Sequence, residues 1–239
     1  MTSETMMTSE TKPFRLFSTL ALRNVLKVMA PDIERATGRR LEIDFGATVQ
    51  LCERIRAGSR GDVVLAVNSA IDALSGESIL LAGSRVDLVS SDIGMAVKQG
   101  APSPDISTLE ALRATLLATP SIVYSKQGAS GIYFASLLKR LGIEDAVVAK
   151  ATILHEGLTG EPVARGEAIL AVQQMSELMQ VPGINIFAKL PAEVQQSTIF
   201  SLGIFAQSTE TKATNDLIAL LRTPAAIEII RSQGLDPIS

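Results

Sequence analysis

Tryptophan is absent from the 239 residues, aromatic residues make up 4%, and cysteine and histidine occur once each. So little aromatic surface leaves no material for a sugar-stacking cleft or a base-stacking platform. A lone cysteine forms no internal disulfide, and with one histidine it cannot assemble a Cys/His metal cage. Neither a metal nor a cofactor is expected. Positive charge is also scarce: Lys and Arg number 22 against 25 Asp and Glu, a net charge of −3, and no basic block could track phosphates. Nucleic acid is therefore not an expected partner. No apolar run approaches the ~18 to 20 residues that cross a bilayer, so membrane insertion is not expected. The opening stretch, Met1 to Lys12, is rich in Thr, Ser and Glu and lacks the basic and apolar regions of an export signal. The chain as written is thus expected in the cytoplasm, or in the periplasm if a native signal has been removed.

What is present is ordinary globular composition, 46% hydrophobic and 20% charged. Phe14 to Phe17 reads as a strand, followed by Ser18-Thr19 and a helical spacing of Leu20, Val25, Leu26, Val28 and Met29. Leu41 to Phe45 reads as a strand, Gly46-Ala47-Thr48 as a turn, Val49 to Ala57 as a helix and Asp62 to Val67 as a buried strand. Further on, Ile71 to Ala82 reads as a helix, Asp87 to Val97 as extended, and Ser107 with Glu110 as a capping box. Ser121 to Tyr124, Val147 to Leu154 and Ala168 to Val172 read as strands, and Ile132 to Leu141 as a helix. The pattern changes after Pro182-Gly183 to two extended segments, and Thr214 to Gly234 is helical with Pro224 in a first turn. Alternating strands and helices predict an α/β fold with parallel sheets and right-handed crossovers.

Three loops share one construction, in which a strand ends, a small or hydroxyl-bearing turn follows and a helix begins: Ser18-Thr19, Gly46-Ala47-Thr48 and Ser125 to Gly131. In a parallel sheet such loops gather at the carboxyl ends of the strands, where helix N-termini offer free N–H groups to an anion. Each hydroxyl also suits a plain helix cap. Within the third loop Lys126 adds a charge suited to a carboxylate or oxyanion, and the missing Gly-Lys-Ser/Thr ending excludes a phosphate-binding P-loop. Gln173-Gln174 places two adjacent amides at a strand end, pointing to opposite faces. His155-Glu156 is the one His/acid pair and could move a proton, and Cys52 on its helix reads as core.

Ala36-Thr37-Gly38, Phe45-Gly46-Ala47-Thr48, Gly61-Asp62-Val63-Val64-Leu65-Ala66, Gly128-Ala129-Ser130-Gly131 and Gly166-Glu167-Ala168, in this order and spacing, resemble the molybdate-binding protein family of bacterial ABC importers. The resemblance runs from Phe14 to the C-terminus. It implies the type 2 periplasmic-binding-protein fold, two α/β lobes with parallel or mixed sheets, joined by two hinge strands. On this chain the crossings would fall near Val89 to Val97 and Ser197 to Ala206. Residues 14–90 plus 204–239 would form the first lobe and 91–203 the second, behind a disordered tail over 1–13. Carried over, the ligand hydroxyls would be Ser18 or Thr19, Thr48 and Ser130. The family usually has two serines where this chain has Ala47-Thr48, a tyrosine at Gln174 and a proline at Ala129 or Ser130. The strings Gln173-Gln174-Met175-Ser176-Glu177-Leu178 and Leu190-Pro191-Ala192-Glu193-Val194-Gln195 look more like a divergent branch that includes proteins similar to aconitate isomerase.

The expected ligand-binding set is thus Ser18, Thr19, Ala47, Thr48, Ser125, Lys126, Ser130, Gly131, Gln173 and Gln174. Amides with a lysine suit a carboxylate better than a compact tetrahedral oxyanion. Two functions fit: a binding protein that closes on a small anion, served by an ABC permease if exported, or an isomerase that moves a proton next to a carboxylate. For the second, the candidate proton carriers are His155, Glu156, Lys126 and Tyr124.

Overall fold

The computed structural model describes residues 12–238, so the tail expected over residues 1–13 lies almost wholly outside the described residues. The chain opens as β1 (Phe14–Thr19), a 3-10 turn over Leu20–Leu22, α1 (Arg23–Thr37), β2 (Leu41–Gly46), α2 (Thr48–Arg56), β3 (Val63–Val67), α3 (Asn68–Gly76) and β4 (Val86–Ser91). It crosses at Asp92 into β5 (Ile93–Lys98), α4 (Leu109–Ala118), β6 (Ile122–Ser125), α5 (Ala129–Arg140), α6 (Glu144–Val148) and β7 (Ala151–Leu154). Then come α7 (Gly160–Arg165), β8 (Leu170–Gln174), the single turn α8 (Met175–Leu178) and β9 (Ile184–Lys189). The return is made by β10 (Thr198–Ile204), α9 (Thr211–Leu221), α10 (Pro224–Ser232) and β11 (Asp236–Pro237).

Two sheets result, ordered β11-β4-β10-β3-β1-β2 and β7-β6-β8-β5-β9. β1 pairs in parallel with β2 and β3, and β6 with β7 and β8, each pair joined by a helical crossover. The strands next to the crossings, β10 and β5, run antiparallel to their neighbours, so both sheets are mixed. Sheet membership changes at Asp92 and between Leu190 and Thr198. Thr198 already pairs with Ser91 in the first sheet, so the chain returns about six residues ahead of the expected division at 203/204.

Each sheet is covered on both faces. On the first, Phe14, Leu16, Leu26, Met29 and Leu217 form one core and Phe17, Leu51, Ile71 and Phe205 the other. On the second, Tyr124, Phe134, Leu137 and Leu170 pack on one side and Val123, Val163 and Leu178 on the other. This two-sided burial is why β3 (VVLAV) and β8 read as continuous apolar runs.

Three local expectations are corrected. The strand expected over Val147–Leu154 begins at Ala151, because Glu144 and Asp145 favour a helix N-terminus and Val147 turns into the core from α6. The helix expected over Ile71–Ala82 ends at Gly76, with Leu80 instead bridging to Phe205. The cap of α4 is Thr108, whose hydroxyl accepts from Ala111 N–H, rather than Ser107.

The crossings are stitched together. The Asp92 carboxylate accepts from Ser197 Oγ on the second crossing and, at 2.8 Å, from Lys189 Nζ on β9. Burial pushes the Asp92 carboxyl up, but the hydrogen bonds from Lys189 and Ser197 outweigh it and hold the group below its ordinary value. Gln195 brackets Ile93, accepting from its N–H at 3.0 Å and donating to its carbonyl at 2.9 Å. Among the described residues no helix is long and apolar enough to cross a membrane.

Candidate functional site between the lobes

The carboxyl ends of β1, β2 and β3 face those of β6, β7 and β8 across a cleft. Two cavities, of about 500 and 590 Å³, have walls from both sides of it. The first is bounded by Leu20, Arg23, Ala47 and Arg54 from one lobe and Glu156 and Gly157 from the other. The second takes Thr48 and Asn68 from one lobe and Ala129 and Tyr133 from the other. Ala47 and Thr48 fall on different cavities, so the N-terminus of α2 stands between them. A third cavity, of about 530 Å³, adjoins Ser125, Lys126, Gly131 and His155. An apolar cavity of about 400 Å³ elsewhere in the first lobe, walled by Leu22, Leu88 and Ile230, is remote from these strand ends.

The hydroxyls do not serve as caps. Thr19, at the end of β1, makes no side-chain bond to the turn it precedes, and the caps of α2 and α5 are Ala47 and Gly128, which have no side-chain oxygen. Thr19 Oγ1, Ser125 Oγ and Ser130 Oγ are buried and have no hydrogen-bond partner among the described residues. A buried hydroxyl without a partner costs free energy, about 1–3 kcal/mol each; Thr19 stands at the end of β1, Ser125 at the end of β6 and Ser130 in the first turn of α5. Ser18 is different, since its hydroxyl reaches the carbonyl of Thr19 at 3.2 Å.

Close approach is built into the third loop. A Cβ on Gly131 would lie 1.7 Å from the Ser125 carbonyl oxygen, and one on Gly128 would lie 2.7 Å from Ser125 Oγ. The glycines therefore let the first turn of α5 press against the end of β6, bringing Ser125 and Ser130 together.

The glutamines of the expected set are committed elsewhere. Gln173 Oε1 accepts from the N–H of Thr159 at 2.7 Å and its hydroxyl at 2.9 Å, while Nε2 reaches Gly157 O at 3.4 Å. The Gln174 amide, oriented so that every atom meets a complement, donates to Ser91 O at 2.9 Å and Asp92 O at 3.2 Å and accepts from Thr198 Oγ1 at 2.8 Å. It holds the hinge. Gln50 Nε2 crosses the cleft to His155 O at 3.4 Å.

Among the proton-carrier candidates, Lys126, His155 and Glu156 are exposed on loops. Tyr124 is 3% exposed, stacks edge-on to Phe134 at 5.3 Å, and burial pushes its phenol up, helped by Glu144. It is a core residue with a neutral hydroxyl.

Three features of the site are not legible in the sequence. Arg23, at the start of α1, donates from Nε to Gln180 Oε1 at 2.9 Å and forms no ion pair within 4 Å among the described residues. Its terminal nitrogens make no other hydrogen bond among the described residues, and the side chain lines the cavity that spans the lobes. Ser176 Oγ is a further buried hydroxyl without a partner. Glu177, in α8, is 7% exposed, and burial raises its carboxyl to about 7 despite opposing contributions from Gln174 N–H, Arg23 and Gln173. A lone Arg or Glu in an amphipathic stretch reads as solvated surface, and no spacing signals otherwise.

Comparison with known proteins agrees with this geometry. The chain is 38% identical over 229 residues to an aconitate isomerase of a Pseudomonas species, spanning 93% of this chain and 87% of that protein. The periplasmic molybdate-binding protein of Azotobacter vinelandii superposes with a TM-score of 0.76 at 17% identity, over 95% of this chain and all of that one. The tungstate-binding protein TupA of Desulfovibrio alaskensis G20 gives 0.67 at 16% identity, over 95% of this chain and all of that one. These likenesses establish the periplasmic-binding fold. The sequence profile of the family described as bacterial extracellular solute-binding protein matches residues 14–236, and the chain belongs to that family.

Proposed function

We propose that the cleft takes a small polycarboxylate, of the size and charge of aconitate, and interconverts its isomers by proton transfer. The observation that carries this reading is a set of uncommitted donors: the buried hydroxyls of Thr19, Ser125 and Ser130, which have no partner among the described residues, and the guanidinium of Arg23, which lines the cavity between the lobes. A planar fork of N–H groups can hold a carboxylate in two parallel bonds. Lys126 lines a separate cavity beside Ser125 and offers a second positive charge for a multiply charged acid. Of the expected binding set, Thr19, Thr48, Ser125, Lys126, Ser130 and Gly131 take these roles, and Gln173 and Gln174 support them from behind. The 38% identity to an aconitate isomerase supports the choice of acid and of reaction. Family membership also supports a second reading, carriage of the same acid to an ABC permease, which requires export and leaves the ligand unchanged.

Thermal melting with trans-aconitate, cis-aconitate, citrate, molybdate, tungstate, sulfate and phosphate tests the ligand class. At a hundredfold excess over Kd an aconitate is expected to add about 2.7 kcal/mol, a rise of roughly 5–10 °C for a chain this long. NMR of the same samples after incubation shows a new isomer if the reaction occurs and one unchanged acid if the protein only carries it. Stabilisation by molybdate or tungstate but by no carboxylate overturns the proposal. Arg23→Gln is expected to weaken aconitate binding about 30-fold or more, the worth of a charge-assisted pair, as read by calorimetry. An unchanged Kd removes Arg23 from the site.

A further inference from the structure

The proton carriers that the sequence offered do not fit the work, three being solvated on loops and one being a phenol in the core. A carbon acid beside a carboxylate needs a base shielded from water, next to a group that holds the substrate. Two carboxyls are buried among the described residues, and Asp62 is already committed to Arg15 N–H and Ser208 Oγ, which leaves Glu177. Glu177 lies on α8, which packs against the 3-10 turn after Thr19 and thus against the seam between the lobes. Gln180, three residues on, ties this segment across the seam, accepting from Arg23 Nε at 2.9 Å and donating to Leu20 O at 2.8 Å. Gln173 contacts the Glu177 carboxyl and reaches Gly157. The Glu177 segment is therefore tied to Arg23 through Gln180 and to Gly157 through Gln173, and both Arg23 and Gly157 wall the same cavity. Its neighbour Ser176 holds one of the unpartnered hydroxyls.

We infer that Glu177 is the base that removes and returns the substrate proton while Arg23 holds the adjacent carboxylate. This rests on the isomerase reading given above. In trans-aconitate the methylene C–H bond breaks and its proton passes to the carboxylate. The electron pair left behind delocalises through the neighbouring carbon–carbon double bond toward the carboxylate oxygens, where the cleft hydroxyls can donate. The same carboxyl then gives the proton to the carbon that was vinylic, so the double bond has moved by one position and no oxidant or second reactant is used. The geometry of the new double bond follows from the rotamer in which the former methylene arm is held.

The charge environment suits the role. Of the elements packed against α8, the 3-10 turn brings no charged side chain and β8 brings none. β5 brings Lys98 at its far end, and β9 brings Lys189, already paired with Asp92. Arg23 is the one charge acting on the Glu177 carboxyl among the described residues, and burial outweighs it, raising the group to about 7. A base so placed can both accept a proton and return it.

The test uses trans-aconitate and three proteins, wild type, Glu177→Gln and Glu177→Asp. Glu177→Gln keeps a hydrogen-bond acceptor in place, and is expected to melt no lower than wild type and to bind trans-aconitate within about threefold of it. Isomerisation and exchange of the methylene hydrogens in D2O should both fall by about 10² or more. Glu177→Asp should keep measurable turnover with its acid limb moved from that of wild type, a change that a merely structural role would not produce. Exchange by Glu177→Gln within threefold of wild type overturns the assignment and leaves the isomerase reading intact. Wild-type protein that binds trans-aconitate without exchange or isomerisation overturns both.

Discussion

Gly131→Ala should give a protein that melts roughly 6–12 °C lower than wild type and has lost measurable affinity for aconitate. The added methyl group meets the Ser125 carbonyl oxygen at 1.7 Å and its carbonyl carbon at 2.6 Å, and neither is the yielding end of a side chain. The first turn of α5 must therefore move away from the end of β6, an overpacking strain of about 3 kcal/mol. The same displacement separates Ser125 from Ser130, so binding and stability fall together. Gly142→Ala is the matched control. Gly142 closes α5 at φ +64° with nothing within 4 Å of a new Cβ, so the substitution costs about 1 kcal/mol of backbone strain and leaves the Kd unchanged. Calorimetry and thermal melts on the pair decide the matter. A Gly131→Ala protein that binds as tightly as wild type would show that this close approach does not shape the cleft.

The second large effect is of opposite sign. Between its ordinary value of 4.5 and its folded value of about 7, the Glu177 carboxyl keeps a proton that the unfolded chain has released. Stability therefore declines as pH rises through that interval, and above it the full penalty, about 3 kcal/mol, is present. Glu177→Gln removes this penalty because the amide has no charge to bury. The variant is expected to be more stable than wild type by about 3 kcal/mol at pH 8 and nearly equal to it at pH 4.5, as measured by denaturant unfolding at the two pH values. Equal stabilities at pH 8 would mean that the carboxyl is better solvated than its 7% exposure implies. A catalytic group that weakens the fold at working pH is the usual sign of a residue kept for activity.

The alternation of strands and helices was legible because each sheet is buried on both faces, which turns β3 and β8 into plain apolar runs. The loops at the strand ends were legible for a related reason, since Gly, Ser and Thr cluster where a chain must turn and start a helix. What could not be read was the fate of each polar atom. Gln174 looked like a ligand, yet its amide holds the hinge. Arg23 and Glu177 were hidden for the converse reason: α1 is amphipathic, so its Arg falls among exposed polar residues in the pattern, and α8 is a single turn too short to have a pattern. Whether a side chain is buried depends on what the other lobe places over it, and no local spacing carries that.

The absence of side-chain caps at α2 and α5 also bears on how the molecule responds to its ligand. The opening N–H groups of these helices have no side chain to close them. A bound carboxylate would do the work of a cap residue supplied from solution, so that two helices from different sheets are completed by one molecule. In the empty protein those first turns should fray and exchange their amide hydrogens quickly. In the filled one they should become protected in step, which makes the ligand part of the secondary structure it completes.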